Sequence, residues 1–217
     1  MATDDLINQL ASNLKPVRRL PAPLVRVLYV LGLTALVLAA AISLLTHGLR
    51  PDIATMLGRT GYLSQNLSFL AAGICAALAA FRLSVPDVKI RPATYAFIFA
   101  ATAIWLVHII ALSFEGGLDG VDVGQRNCLT DLSLFMVVPL AATTFMLTRG
   151  APVWRGWAGY SMVLAIGSFC AIGMRFLCPN DQPAHLLVWH FMPVMVFALA
   201  GIALGKILLK PRTPKLP

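Results

Sequence analysis

Apolar residues gather into six long runs along this chain, each close to the roughly 20 residues that cross a bilayer core, with short polar breaks between them. The runs cover about Leu24 to Thr46, Tyr62 to Phe81, Thr94 to Phe114, Asp131 to Thr148, Trp157 to Phe176 and Leu186 to Leu209. In lipid the backbone must satisfy its own hydrogen bonds, so runs this long read as helices. The fourth is short and contains Pro139, which a transmembrane helix tolerates. The pattern predicts an all-α membrane protein with six transmembrane helices.

A different pattern precedes the first run. Thr3 suits a helix N-cap, and Asp4 and Asp5 follow in the first turn, where the macrodipole favours carboxylates. Leu6, Ile7, Leu10 and Leu14 then recur at helical spacing on one face. Pro16 should stop this short amphipathic helix, and Pro21 and Pro23 make a stiff connector. A helix of about three turns is marginal alone, so its apolar stripe needs a partner. The partner is either the bilayer surface, which Lys15, Arg18 and Arg19 would suit, or another protein. With acidic residues first and a long apolar run behind, the segment fits neither a signal peptide nor a transit peptide. The chain therefore divides into an N-terminal segment (1–23), a six-helix membrane domain (24–209) and a basic tail (210–217).

Composition narrows the class. Of 217 residues 59% are hydrophobic and only 12% charged, with a mean hydropathy of +0.80. A soluble domain carries about 25% charged residues, so this is a membrane protein, and the recurrence of apolar runs along nearly the whole length excludes a soluble domain with a single anchor. The net charge of +8 does not signal nucleic-acid binding, because the charges lie at the edges of the runs, where they set topology. With both termini cytoplasmic, 13 of the 17 Lys and Arg face inward. Only Arg50, Arg59, Arg126 and Arg175 face outward, together with Asp52, Glu115, Asp119, Asp122, Asp131 and Asp181.

Candidate chemistry concentrates in Met174 to His190, MRFLCPNDQPAHLLVWH, the most polar break in the C-terminal third. Cys178 opens it, Pro179 and Pro183 stiffen it, and Asp181, His185 and His190 supply titrating or metal-binding groups. Topology sorts the four cysteines. Cys75 and Cys170 lie inside runs, where packing is the default. Cys128 and Cys178 both fall at the outer face, where disulfides are permitted. Neither belongs to a CxxC motif, which argues against a thiol-exchange enzyme. The pair suits a stabilising disulfide, an oxidant-sensitive dithiol or a soft-metal site. For the last, a regulatory ion such as Cu(I) would find Met174, His185, His190 and Met192 nearby. Gln65, Asn66 and His108 inside runs read as inter-helix hydrogen-bond partners. The alternative reading, a small-solute or metal transporter, would draw on Asn66 and His108, although the runs contain no chain of acidic residues. No phosphate loop, catalytic triad or zinc signature appears.

The opening DDLINQLASNLKPVRRL with its proline-flanked first run, a cysteine ahead of the fourth run, and the closing CPNDQPAHLLVWHFMP resemble the NrsF family of anti-sigma factors, six-span proteins of the bacterial inner membrane. The resemblance extends over essentially the whole chain. It implies a non-enzymatic regulator that needs no cofactor and makes no direct nucleic-acid contact. Its expected partners are an extracytoplasmic-function sigma factor and the membrane lipid. It also implies that Asp4, Leu6, Ile7, Leu10, Leu14, Arg18 and Arg19 hold the sigma factor and that Cys128 and Cys178 sense an oxidant or metal. Pro179, Asp181, Trp189, His190 and Pro193 match the closing pattern.

Overall fold

The computed structural model describes residues 3–12, 20–44, 48–86, 91–115 and 127–210. Its helices are α1 (Thr3–Ser12), α2 (Pro23–Leu44), α3 (Ile53–Leu57), α4 (Thr60–Leu83), α5 (Pro92–Glu115), α6 (Asn127–Thr148), α7 (Arg155–Leu177), α8 (Pro183–His185) and α9 (Met192–Leu208). A π-helical turn, Leu186–Phe191, joins α8 to α9. Among the described residues six helical stretches are long and apolar enough to cross a membrane, at the six runs foreseen. Pro23 and Pro92 begin α2 and α5, where a missing N–H costs nothing and the fixed φ is already helical.

The ends of the helices depart from hydropathy in an informative way. Helix α6 starts at Asn127, not Asp131, because a polar turn can be helical without being apolar. That extension places Cys128 on a helix instead of in a loop. Pro139 is accommodated inside α6 and is buried there. The short α3 was not foreseen, nor was the π turn. Leu14, Arg18 and Arg19, expected to hold a partner, lie outside the described residues, as do the side chains of Leu6 and Leu10. Asp4 and Ile7 are exposed on α1.

Helix α7 is the centre of the bundle. Of its most apolar window 83% is buried, against 22% for α2 and α5. It packs against α9, α4, α6 and α2. Its contact with α9 is backbone on backbone: a Cβ at Gly159 would collide with the carbonyl oxygen of Gly201. Small residues allow such approach where lipid supplies no hydrophobic drive and packing must hold helices together. Between α4, α5 and the π turn, Phe69 stacks on Trp105 with centroids 4.6 Å apart, and Phe191 meets both edge-on.

The two ends of the bundle differ in chemistry. At one end the Arg26 guanidinium, 2% exposed, donates to the Phe81 carbonyl (3.1 Å) and the Ser84 hydroxyl (2.9 Å), a cation capping the C-terminus of α4. Arg82, Arg149, Arg155 and Lys206 stand at the same end, on the last turns of α4 and α9 and around the α6–α7 turn. The other end, where α7 finishes and α6 and α9 begin, carries the thiols.

Candidate thiol–imidazole site

Cys128 sits in the first turn of α6, and Cys178 caps the C-terminus of α7, its N–H bonded to the Met174 carbonyl at 2.8 Å. Their sulfurs, 50 residues apart in sequence, are 3.6 Å apart in space. His185 Nε2 lies 3.3 Å from Cys178 Sγ, and His190 Nε2 lies 3.3 Å from His185 Nε2. All four donor atoms fall within 4.8 Å of one another. Cys178, His185 and His190 are buried and Cys128 is half-buried. The thiol of Cys128 and then the imidazole of His185 hold the Cys178 sulfur below its usual pKa, against the opposing effect of burial.

The π turn explains how both imidazoles reach one point. Residues five apart on an α-helix are separated by about 140° around the axis. The i→i+5 bonding of a π turn brings them one above the other, and such turns recur at functional sites. Phe191, locked against Phe69 and Trp105, ends the turn directly after His190.

The donor geometry suits a tetrahedral ion. With metal–sulfur bonds near 2.3 Å and metal–nitrogen bonds near 2.0 Å, tetrahedral angles set sulfurs about 3.8 Å and nitrogens about 3.3 Å apart. The sulfurs here are at 3.6 Å and the nitrogens at 3.3 Å. Two thiols and two imidazoles are the donors that closed-shell ions such as Cu(I) and Zn(II) take. Both Nδ1 atoms are buried with no partner among the described residues, so only the contacts at Nε2 bear on the tautomer. The same sulfurs would have to approach by about 1.5 Å to form a disulfide. All four cysteines are free.

A charged clamp holds the segment that carries Cys178. Asp181 pairs with Arg50 (2.6 Å) and with Arg175. Arg50 also grips Asp52 (2.7 Å), donates to the Pro179 carbonyl (3.3 Å), and its N–H bonds the Phe176 carbonyl (3.0 Å). The Arg175 guanidinium lies over the Tyr62 ring at 4.9 Å, and the Tyr62 hydroxyl donates to the Arg175 carbonyl at 2.9 Å. Burial pushes the Asp181 carboxyl up, but the two arginines more than offset this and hold it below the usual carboxylate range. Hydrogen bonds to Asp52 and then Asp181 push the Arg50 guanidinium up.

The site thus unites Cys128, Cys178, His185 and His190, with Pro179 and Asp181 in the clamp beside it. Pro193 is buried at the start of α9, and Trp189 lies on the π turn with its indole N–H buried and without a hydrogen-bond partner among the described residues. Met174 is a core residue and Met192 is 42% exposed; neither belongs to the donor set described above. Cys170 is buried in the core and Cys75 packs against it. His108 does bridge helices, to Ser68 Oγ at 3.1 Å, whereas Asn66 bonds within its own helix, to the Tyr62 carbonyl. The residues missed were Arg50, Arg175 and Tyr62. A signal for the arginines existed: they are two of the four basic residues expected on the outer side, against the prevailing charge rule.

Fold and site together define a multi-pass helical membrane protein with a thiol–imidazole cluster near one end of its bundle. The family description Negative regulator of sigma F (NrsF) matches residues 10–210, and the chain belongs to that family. No curated protein and no solved structure matches it.

Proposed function

We propose that this protein is an inner-membrane anti-sigma factor that holds an extracytoplasmic-function sigma factor through residues 1–23 and frees it when the four-residue cluster binds a soft ion. Family membership supports the regulatory role. The convergence of Cys128, Cys178, His185 and His190 within 4.8 Å supports the sensing role. The distribution of basic residues supports cytoplasmic termini and a cluster facing the periplasm.

The mechanism needs two states that the ligand distinguishes. A tetrahedral ion would draw any donor pair near the 4.8 Å limit together by about 1 Å. The donors come from α6, the end of α7 and the turn before α9, so closing the site moves helices against one another. Those movements reach the cytoplasmic ends and change how the N-terminal segment is presented. An oxidant would act on the same pair differently: two thiols give up two protons and two electrons to it and form one S–S bond. This second reading rests on the adjacency of the two sulfurs at 3.6 Å, a gap that must close by about 1.5 Å.

The test is co-purification of the sigma factor with the wild type and with Cys128→Ser/Cys178→Ser, before and after Cu(I), Zn(II) or peroxide. The double variant should retain the partner under every treatment while the wild type releases it. Release from the double variant on the same treatment as the wild type would sink the sensing role. Cys75→Ser and Cys170→Ser are the controls and should respond normally.

A further inference from the structure

At the end of the bundle opposite the thiols, two cavities lie side by side on the outer surface of α5, α7 and α9. One, about 440 Å³, is an apolar trough lined by Ile98, Phe99, Trp157, Tyr160 and Leu199, with the Thr102–Tyr160 hydroxyl pair (2.8 Å) at its side. The other, about 520 Å³, is of mixed polarity, with Trp154 and the two cations Arg155 and Lys206 in its lining. Trp157 and Ile202 line both, so trough and pocket adjoin. Arg155 donates to the Lys206 carbonyl at 3.3 Å, which holds its guanidinium beside the last turn of α9. Among the described residues neither cation has a carboxylate partner. Arg82 and Arg149, at the same end, instead lie over the rings of Phe97 and Phe145.

We infer that this is a binding site for one anionic phospholipid, its phosphate between Arg155 and Lys206 and an acyl chain in the trough. A cationic pocket between helices at a membrane interface selects anionic headgroups. Trp154 and Trp157, 40% and 45% exposed, are the amphipathic rings that settle at headgroup level. A soluble anion would use only the cationic pocket; the adjoining apolar trough assigns the occupant to lipid. The inference does not depend on the sensing role of the cluster.

Trp154 and Trp157 make the site readable. The full chain is reconstituted in phosphatidylcholine nanodiscs doped with brominated phosphatidylglycerol or, separately, brominated phosphatidylcholine, and tryptophan quenching is followed. The anionic lipid should quench at about tenfold lower mole fraction than the neutral one. Arg155→Gln/Lys206→Gln should erase that preference, while Arg82→Gln/Arg149→Gln, the same loss of charge at the same end, should keep it. Helical circular dichroism confirms that each variant is folded, and Arg155→Lys/Lys206→Arg, which keeps both charges, should retain the preference. Equal quenching by both lipids, equal loss in both neutralised pairs, or displacement by inorganic phosphate would each overturn the assignment.

Discussion

The sulfur of Cys178 stands 3.3 Å from Nε2 of His185, and that imidazole in turn meets His190 Nε2 at the same distance. The relay makes His185 the hinge of the cluster, touching both a sulfur and a nitrogen. Each histidine should therefore count as fully as a cysteine toward metal affinity. His190→Ala is expected to weaken Zn(II) or Cu(I) binding by more than about tenfold in chelator competition. His108→Ala, outside the cluster, should leave affinity unchanged. Equal affinities for wild type and His190→Ala would exclude His190 from ligation.

Asp181 bridges two guanidiniums that are almost wholly buried, Arg50 at 1% and Arg175 at 5% exposure of their side chains. Asp181→Asn strands Arg175, leaves Arg50 with Asp52 alone, and should cost about 3 kcal/mol, the low end for a broken buried pair because Asp181 itself is 31% exposed. The readout is thermal unfolding in detergent. Arg59→Gln, at an exposed position, should change stability by less than about 0.5 kcal/mol. Matching midpoints for the wild type and Asp181→Asn would show that the clamp contributes nothing to the fold.

The same clamp sets a pH dependence. The Asp181 and Asp52 carboxyls lie below the ordinary carboxylate range when folded. A depressed folded pKa contributes stability above the unfolded value and loses it as pH falls through the folded one. Stability from this source should thus be flat from neutral pH down to the ordinary carboxylate range and fall below it. Asp181→Asn should flatten most of that acid limb, leaving a residual slope from Asp52. An unchanged limb in Asp181→Asn would place the acid sensitivity elsewhere.

At the other end of the chain, Leu10→Asp puts a carboxylate on the stripe formed by Leu6, Ile7, Leu10 and Leu14. Against a sigma factor docked on that stripe the cost should be several kcal/mol, roughly the range for an unpaired buried charge, enough to release the partner while membrane insertion is retained. Ser12→Asp, off the stripe, should do much less. Pull-down of the sigma factor with each variant measures this, and identical behaviour of the two would exclude docking through the stripe.

Much of this architecture was legible in the chain, and the reasons for the rest are specific. Six helices follow from apolar length alone, because a membrane leaves the backbone few alternatives. Cys128 and Cys178 were separable from Cys75 and Cys170 by position relative to the runs. Their approach to 3.6 Å was not legible, since it depends on α6 and α7 meeting at one end. Arg50 and Asp181 lie 131 positions apart, beyond the reach of any local pattern. The π turn escaped because Leu186–Phe191 has the composition of an ordinary apolar helix; only its hydrogen bonding differs.

That turn makes the cluster a matter of counting as well as of chemistry. Replacing Val188 alters a side chain and leaves the spacing of His185 and His190 intact. Inserting one residue between His185 and His190 would set them six apart, about 240° around an axis where each residue advances about 100°. One of the two imidazoles would then swing away from the sulfurs while α9 kept its seat on α7 through Gly159 and Gly201. Variation between the two histidines should accordingly be tolerated more readily as substitution than as insertion.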